Sequence, residues 1–262
     1  MSFETVTEER QGALGIVTLN RPQVRNALNR QLRFDLNAAL ENAINDAEVR
    51  VILLRGEGKS FSAGHDLGEE LEGFGDEGFI VDLIRNEYVP IINTITNAPK
   101  PIIGVLNGAV AGIGVSIAMA CDLLIMEEES FLYCAFGAIG LVPDGGLHLF
   151  LRNALGSKKA YEMIAFSQRL TAQQCKQQGI ANRVVTAGKL QEEAIAFGEE
   201  LSQKPPMTLS HSKQLLAEAA DNDLAKIMDR EAVIQDINIR SGDFKEGTAA
   251  FFEKRPPNFK GC

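Results

Sequence analysis

The most informative segment of the chain is 99–125, which reads PKPIIGVLNGAVAGIGVSIAMACDLLI. Its uncharged centre, 101–121, is long enough to span a bilayer. However, that centre contains a proline, an asparagine and four glycines, and it lacks an aromatic belt and basic flanks beyond a single lysine. We therefore predict a buried strand at 101–106, a tight glycine-rich loop and a buried helix near 115–120, and not a membrane span.

Strand and helix patterns alternate around this segment. Apolar, β-rich runs lie at 14–19, 51–54 and 123–126, and apolar residues recur at helical spacing in 29–45 and 79–95. From about residue 158 onward helical patterns dominate, and they are interrupted by the pair Pro205-Pro206. The order of elements predicts an α/β fold, with a core domain at 1–200 and a helical C-terminal region at 201–262.

The composition fits a globular protein that does not bind nucleic acid or anionic membranes. The chain has 262 residues, 45% of them apolar, and 26 basic against 35 acidic side chains give a net charge of −9. Its four cysteines have no metal-site spacing, and the N-terminal residues contain no apolar signal-peptide core. We therefore expect a cytoplasmic protein without a metal site.

Several familiar motifs fail on inspection. Gly112-Ile113-Gly114 lacks the third glycine of a dinucleotide-binding turn, and no phosphate-binding P-loop is present. Ser116 lies in a variant of the nucleophile elbow, and Ser116, Asp144 and His211 follow the chain order of an α/β-hydrolase triad. The second elbow glycine is replaced by Ala118, so a serine hydrolase remains a minor alternative.

Two glycine-rich loops, SAGHD (62–66) and NGAVAGIG (107–114), each follow a predicted strand. Main-chain N–H groups at such turns are good donors to anions. If two of them point at one carbonyl oxygen, they form an oxyanion hole. Each loop taken alone is also compatible with an ordinary strand–helix turn, but the presence of two favours a site.

At this point the sequence resembles the enoyl-CoA hydratase/isomerase (crotonase) family almost from end to end. The segments that carry the resemblance are LNRPQVRNALN (19–29), SFSAGHDL (60–67), 99–125, GLVPDGG (140–146) and EGTAAFFEKRPPNF (246–259). The resemblance implies a crotonase (ClpP-like) spiral of ββα units with a helical C-terminal trimerisation region. It also implies a homotrimer or hexamer, and a place in fatty-acid metabolism.

The resemblance further implies an acyl-CoA thioester substrate and no separate cofactor, since coenzyme A is part of the substrate. The thioester oxygen is expected between the main-chain N–H groups of His65 and Ile113. Ile113 stands where glycine is usual, and a positive φ there would be costly for a β-branched residue. The positions expected to contact CoA or the acyl group are Val24, Arg25, Ala27, Ala63, Gly64, Asp66, Leu67, Gly112 and Phe136, with Phe251 and Lys254 near the C-terminus.

The sequence departs from hydratases of that family at both of their catalytic glutamates. The matching residues here are Ser116 and Phe136, and neither can do acid–base work. Asp144, in LVPDGG, stands at a position where isomerase branches of the family tend to carry an aspartate or a glutamate. We expect Asp144 to be a single base, although an aspartate beside Gly145 also fits a helix cap.

The sequence thus predicts an acyl-CoA isomerase, of either the Δ3,Δ2-enoyl-CoA type or the ring-epoxide phenylacetyl-CoA type. Alternatives are a hydratase-like enzyme, a non-catalytic acyl-CoA-binding subunit and, less favoured, the Ser116 hydrolase. The acidic segment 69–76 is expected to form part of the acyl-pocket wall.

Overall fold

The structure is a computed structural model that describes residues 3–69 and 72–262. Glu70 and Leu71, part of the expected acyl-pocket wall, lie outside the described residues. The strands are β1 (Val6–Gln11), β2 (Leu14–Leu19), β3 (Val51–Gly56), β4 (Ser60–Ser62), β5 (Ile102–Leu106), β6 (Ala109–Ala111), β7 (Leu123–Glu127), β8 (Phe131–Tyr133), β9 (Arg169–Thr171) and β10 (Arg183–Val185).

The helices are α1 (Arg30–Asn45), α2 (Phe79–Leu83), α3 (Val89–Asn97), α4 (Ile113–Ala120), α5 (Leu147–Ala165), α6 (Ala172–Gln177), α7 (Leu190–Ser202), α8 (Pro206–Ala219), α9 (Leu224–Asn238) and α10 (Gly242–Glu253). Short 3-10 turns lie at Pro22–Val24 and Ala135–Ile139. A π-helical turn, Ile84–Tyr88, joins α2 to α3.

The larger sheet has the strand order β1-β2-β3-β5-β7-β10. β1 is antiparallel to β2, and the other neighbours are parallel. Alternate residues of β3 face different layers: Ile52 and Leu54 belong to the large core that includes α1 and α4, whereas Val51 and Leu53 pack with α7. The central strands are buried on both faces, and this is why they read as continuous apolar runs.

A smaller sheet has the order β4-β6-β8-β9. β4, β6 and β8 are mutually parallel, and β9 is antiparallel to β8. Each of these strands has only three residues, which is too short for a periodic pattern, so the sequence did not predict them. Because β4 and β6 are parallel neighbours, the chain leaves both at the same edge of the sheet.

Most predicted elements are present, with three differences. The predicted helix at 79–95 is interrupted by the π-helical turn, and α4 starts at Ile113 and not near 115. α5 starts at Leu147, well before the expected position 158, and changes direction at Gly156, where φ is +73°. The apolar segment 101–121 forms β5, β6 and α4, and within the described residues no helix has the length and apolarity needed to cross a membrane.

The C-terminal helices α8, α9 and α10 follow α7. Lys213 of α8 forms an ion pair with Asp122, with Nζ and Oδ2 2.9 Å apart, and also donates to the carbonyl oxygen of Ile95 over 2.8 Å. These bonds join α8 to the core. The division expected at residue 200 falls within the last turn of α7 and stays a prediction.

Candidate active site

The two glycine-rich loops lie against each other beyond the carboxyl ends of β4 and β6. Gly64 has φ +91°, and a Cβ atom on it would lie 2.8 Å from the carbonyl oxygen of Ala111. Gly112 has φ +53°, and a Cβ atom there would lie 3.7 Å from the Cα of Gly64. Glycine suits both positions because it has no Cβ atom, so it can adopt a positive φ and allows the two loops to approach closely. Segments 45 or so residues apart in sequence therefore share one surface.

The main-chain N–H groups of His65 and Ile113 are free to bind a ligand. The N–H of His65 has no acceptor within residues 3–69 and 72–262. Ile113 is the first residue of α4, so its N–H is one of those that a helix leaves without an internal partner. The positive φ falls on Gly112, the N-cap residue, and not on Ile113. The replacement of glycine by isoleucine at 113 therefore carries no backbone strain.

Asp144 lies on the loop between the 3-10 turn Ala135–Ile139 and α5. The hydroxyl group of Ser116 donates to the main-chain oxygen of Asp144 over 2.8 Å. Gly145 has φ +60°, and a Cβ atom on it would collide with the side chains of Ile113 and Ser116. The loop is therefore packed directly on the first turn of α4. This packing brings a carboxyl group next to the helix start that offers a free N–H.

The side chain of Asp144 is half-buried, and one of its carboxyl oxygens has no partner among the described residues. Its Oδ1 atom is enclosed and has no hydrogen-bond partner in the part of the chain that the structure describes. Burial raises the pKa of Asp144 to about 6, and none of the charged groups that the structure describes contributes to this shift. A buried polar atom without a partner is unusual, so Oδ1 marks a position where a ligand atom could bind.

The helix-cap alternative for Asp144 is wrong. α5 begins at Leu147, and Gly146 occupies the N-cap position without a side-chain hydrogen bond. Only the main-chain oxygen of Asp144 meets the helix, as the acceptor for the N–H of Leu147 at 3.2 Å. The side chain of Asp144 is thus free for another role.

The two positions where hydratases carry glutamate lie in apolar surroundings. Phe136 is buried within the 3-10 turn and belongs to the large apolar core. Ser116 is fully buried in α4. Neither position therefore contributes a carboxylate to face Asp144.

The serine-hydrolase alternative does not fit this geometry. A nucleophile elbow exposes its hydroxyl group, whereas Ser116 is fully buried and its hydroxyl group is bonded to the carbonyl oxygen of Asp144. The imidazole of His211 lies among the C-terminal helices, with its Nδ1 2.8 Å from the side-chain oxygen of Asn238. Ser116 therefore holds the Asp144 loop in place and is not activated as a nucleophile.

Replacing Ser116 by alanine is expected to lower the free energy of unfolding by about 0.5–1.5 kcal/mol, since the carbonyl oxygen of Asp144 would lose one of its two donors and keep only the N–H of Leu147. Urea unfolding followed by circular dichroism measures this change. Ser157→Ala, at an exposed position of α5, is the control and should have little effect. Equal stability of the two variants would mean that the hydroxyl group of Ser116 does not hold the loop.

The expected CoA-contacting loop is tied firmly to the loop that carries His65. Arg21 forms an ion pair with Asp66 over 2.8 Å, and the side chain of Asn26 donates to the carbonyl oxygens of Glu57 and Ser60. The N–H of Ala63 donates to the carbonyl oxygen of Arg25 over 2.9 Å. These bonds bring the expected segments 24–27 and 63–67 together as one unit.

Individual side chains of this unit differ in exposure. Ala27 and Gly64 are buried, and Asp66 is held by Arg21. Val24, Arg25, Ala63 and Leu67 are exposed to solvent. Arg25 has φ +53° and is exposed, and its guanidinium group has no hydrogen bond or ion pair within residues 3–69 and 72–262. The exposed members can thus contact a ligand, whereas the buried ones shape the backbone.

Phe251 and Lys254 lie far along the chain from this unit, at the end of α10. Phe251 is 78% exposed, and Lys254 is the left-handed C-cap of the helix with φ +55°. Within the described residues, no hydrogen bond or ion pair joins α10 to segment 21–28. The structure of one chain therefore does not bring these two residues to the predicted CoA site.

Sequence reasoning missed the polar residues behind the site. Tyr88 is buried, and its hydroxyl group lies 2.7 Å from Nδ1 of His65. Arg33 is buried on α1 and forms ion pairs with Glu69 and Glu87. Arg33 occurs among the apolar positions of α1, and a charge on the buried face of a helix is the signal that could have revealed it.

Comparison with known proteins identifies relatives across the whole chain. The family model described as enoyl-CoA hydratase/isomerase matches residues 9–262. A probable enoyl-CoA hydratase of Rhodobacter capsulatus is 34% identical over 262 residues, covering 100% of both chains. The 1,2-epoxyphenylacetyl-CoA isomerase of Escherichia coli is 31% identical over 246 residues, or 94% of each chain.

Solved structures agree with these sequence matches. The crystal structure of an enoyl-CoA hydratase from Polaromonas sp. JS666 superposes with a TM-score of 0.92 at 30% identity, covering 97% of this chain and 99% of that one. Agreement at this level extends over both sheets and the C-terminal helices.

Proposed function

Because this chain belongs to the enoyl-CoA hydratase/isomerase family and has the crotonase fold, we propose that it is an acyl-CoA isomerase with Asp144 as its single base. Enzymes of this family act on acyl-CoA thioesters. In the proposed reaction, the thioester oxygen is held by the main-chain N–H groups of His65 and Ile113. Asp144 moves one proton within the acyl group.

The proposed steps conserve every atom of the substrate. The carboxylate of Asp144 takes a proton from C2 of a 3-enoyl thioester, and the electron pair of that C–H bond moves into the thioester, forming a dienolate. The negative charge on its oxygen is stabilised by the two N–H donors. Asp144 then returns the proton to C4, and the conjugated 2-enoyl thioester results. No separate cofactor is needed, because the proton leaves and re-enters the same molecule.

The observation that carries the proposal is the unpartnered, buried Oδ1 of Asp144. A carboxylate in water is too weak a base for a C–H proton, and burial strengthens it by raising its pKa. Its loop is packed on Ile113, one of the two expected oxyanion donors. A base and a charge-stabilising donor on the same structural unit are the minimum that an enolate reaction requires.

Hydratase is the more frequent word among the names of the relatives, so a hydratase-like activity is the first alternative. Activating a water molecule and protonating the product require two acid–base groups, each worth about 10²–10⁴-fold. Ser116 and Phe136 provide neither. The name of the Escherichia coli relative makes a ring-epoxide thioester the second candidate substrate beside a linear 3-enoyl thioester.

The test is a comparison of three substrates with the purified wild-type protein. We expect conversion of 3-hexenoyl-CoA to 2-hexenoyl-CoA, or of 1,2-epoxyphenylacetyl-CoA to its ring-expanded isomer, to exceed hydration of 2-hexenoyl-CoA. In D₂O, mass spectrometry should find deuterium at C4 of the linear product to the extent that Asp144 exchanges the proton it has taken from C2. Faster hydration than isomerisation would favour the hydratase, and tight binding without any turnover would favour a non-catalytic acyl-CoA-binding subunit.

The pH dependence provides a further prediction. Because Asp144 works only as the carboxylate, kcat/KM for the linear substrate should fall as the pH is lowered through about 6, and should be constant above it. Initial rates between about pH 5 and pH 8.5 measure the profile. A profile that declines toward high pH, or one with its inflection near 4, would contradict a buried Asp144 as the base.

We also propose that the C-terminal region assembles the chain into a homotrimer or hexamer. Large apolar side chains are exposed there: Leu224, Phe251 and Phe252 are 75%, 78% and 76% exposed. Such an apolar surface is typical of a protein interface. In an assembly, Phe251 and Lys254 of one chain could meet the CoA loop of its neighbour. Sedimentation velocity should give a trimer or hexamer, and a stable monomer would contradict this proposal.

A further inference from the structure

The strongest unexplained feature of the molecule is a buried polar cluster behind the His65 loop. Tyr88 is 3% exposed, and its hydroxyl group lies 2.7 Å from Nδ1 of His65. Arg33 is 1% exposed, and its guanidinium carbon lies 5.4 Å from the centre of the Tyr88 ring. The charge of Arg33 is compensated by its ion pairs with Glu69 and Glu87, and the Tyr88 hydroxyl group has Nδ1 of His65 as its partner. The proposed proton transfer by Asp144 does not use this cluster.

The helix that carries Tyr88 is distorted at this residue. Residues Ile84–Tyr88 form a π-helical turn between α2 and α3. Such turns insert one extra residue into a helix and frequently occur at functional sites. Here the turn ends at the residue whose hydroxyl group meets His65. The π-helical turn therefore lies at the residue that contacts His65.

The hydrogen bonds determine which nitrogen of His65 carries a proton. Within the described residues, Nδ1 of His65 is the acceptor available to the Tyr88 hydroxyl group, and a buried O–H without an acceptor is unfavourable. The positive charge of the buried Arg33 disfavours a second positive charge on the ring of His65. Tyr88 therefore donates to Nδ1, and a neutral ring then carries its proton on Nε2.

The charges around His65 support a neutral ring. Burial and the positive charge of Arg33 lower the pKa of His65, and the carboxylates of Asp66, Glu69 and Glu87 oppose this effect only in part. Tyr88 is itself kept protonated, because burial raises its pKa by more than the neighbouring positive charge of Arg33 lowers it.

We propose that the Nε2–H group of His65, held in place by Tyr88 and Arg33, is a specificity element that donates a hydrogen bond to an oxygen atom on the acyl group. The inference rests on the proposed function, in which the main-chain N–H of His65 binds the thioester oxygen. In that arrangement the main chain of His65 lies beside the thioester, and the imidazole ring contacts Tyr88 through Nδ1. The substrate class it selects is an oxygen-bearing acyl thioester, such as an epoxide, an ether or an alcohol, in preference to a plain hydrocarbon chain.

Binding measurements on the inactive Asp144→Asn variant test this inference without turnover. Two matched pairs of thioesters serve as probes: hexanoyl-CoA with 5-hydroxyhexanoyl-CoA, and phenylacetyl-CoA with 2-hydroxyphenylacetyl-CoA. Calorimetry should show that at least one hydroxylated compound binds about five- to tenfold more tightly than its parent, as expected for one added neutral hydrogen bond. This preference should vanish in His65→Leu and return in part in His65→Gln, whose amide is also a donor.

Tyr88→Phe separates a positioning role from simple packing. With three histidines in the chain, ¹⁵N spectra can identify the tautomer of His65. The wild-type ring should be a neutral Nε2–H tautomer, and Tyr88→Phe should give a mixture of tautomers together with loss of the hydroxyl preference. If Tyr88→Phe does not fold, His65→Leu, at a partly exposed position, still decides the question.

Two results would overturn the inference: equal binding of both members of each pair, or a hydroxyl preference that survives His65→Leu. Either result could occur while Asp144 is still required for turnover, in which case only this inference fails. Conversely, a hydroxyl preference in a protein that shows no isomerase activity would leave the specificity element standing and would refute the proposed function. The two proposals can therefore fail separately.

Discussion

Asp144→Asn is expected to lower kcat for the isomerisation by about 10²–10⁴-fold, the usual contribution of a general base. Asparagine has nearly the same shape and preserves the contact between Ser116 and the main chain, but it cannot accept the C2 proton. KM should change much less, because the proposal assigns binding of the thioester to the main-chain donors and the CoA loop. Steady-state kinetics with the best substrate found for the wild-type protein measures both constants.

A matched control for this variant is Glu48→Gln, which removes an exposed carboxylate far along the chain from the site and should retain wild-type rates. Turnover that stays within a few-fold of wild type in Asp144→Asn would falsify the assignment of the base. A loss of activity in both variants would indicate a general loss of folded protein, and circular dichroism checks for that.

The stability of Asp144→Asn should depend on pH in a defined direction. The pKa of Asp144 is raised from 3.8 to about 6 on folding, so the folded state binds this proton more tightly than the unfolded state does. The resulting stabilisation is present below about pH 4 and is lost as the pH rises through about 6. The variant should therefore match the wild type in acid and be more stable near about pH 8. Thermal unfolding at the two pH values measures this difference.

Gly64→Ala is expected to lower kcat by about 10²–10³-fold, comparable to the loss of one oxyanion donor. A methyl group at this position would lie 2.8 Å from the carbonyl oxygen of Ala111, so the two loops must move apart. The N–H of His65, the next residue, would move with the loop and lose its alignment with the N–H of Ile113. The effect should appear mainly in kcat, since the proposal assigns to these donors the stabilisation of the developing charge of the dienolate.

Gly12→Ala is the control, because it carries the same type of backbone cost without the collision. Gly12 lies in the turn between β1 and β2 with φ +59°, and a Cβ atom there would meet nothing within 4 Å. Both variants should lose some stability from the left-handed backbone. Only Gly64→Ala should lose most of its activity, and equal activity in the two variants would contradict the role of the paired loops.

The position of Ser116 illustrates how a family site can change its chemistry. At a position where a hydratase needs a glutamate, this chain has a hydroxyl group that binds the main chain of Asp144. The proposed enzyme has thus exchanged an acid–base group for an anchor that fixes a different carboxylate. A site with one base favours moving a proton within the substrate over adding water to it.

Much of the fold could be predicted from the sequence, because the burial of a strand or of a helix face determines which positions are apolar. Strands buried on both faces need continuous apolar runs, so 14–19, 51–54 and 101–106 were predicted close to their true bounds. Helical spacing identified α1 in the same way. The three-residue strands β4, β6 and β8 have no period to detect, and only their pairing with one another makes them strands.

In the candidate site, too, some features could be predicted from the sequence and others depend on tertiary structure. The two glycine-rich loops could be identified from residue type and from their positions after predicted strands, whereas Asp144 was predicted as the base only through the resemblance to the family. It left undecided whether Asp144 caps a helix and whether Ile113 is strained, because both depend on where the chain turns. Packing decided them: the positive φ falls on Gly112, and α5 starts three residues beyond Asp144. The pairing of Tyr88 with His65 joins residues from separate segments, and such a contact arises only when tertiary structure brings them together.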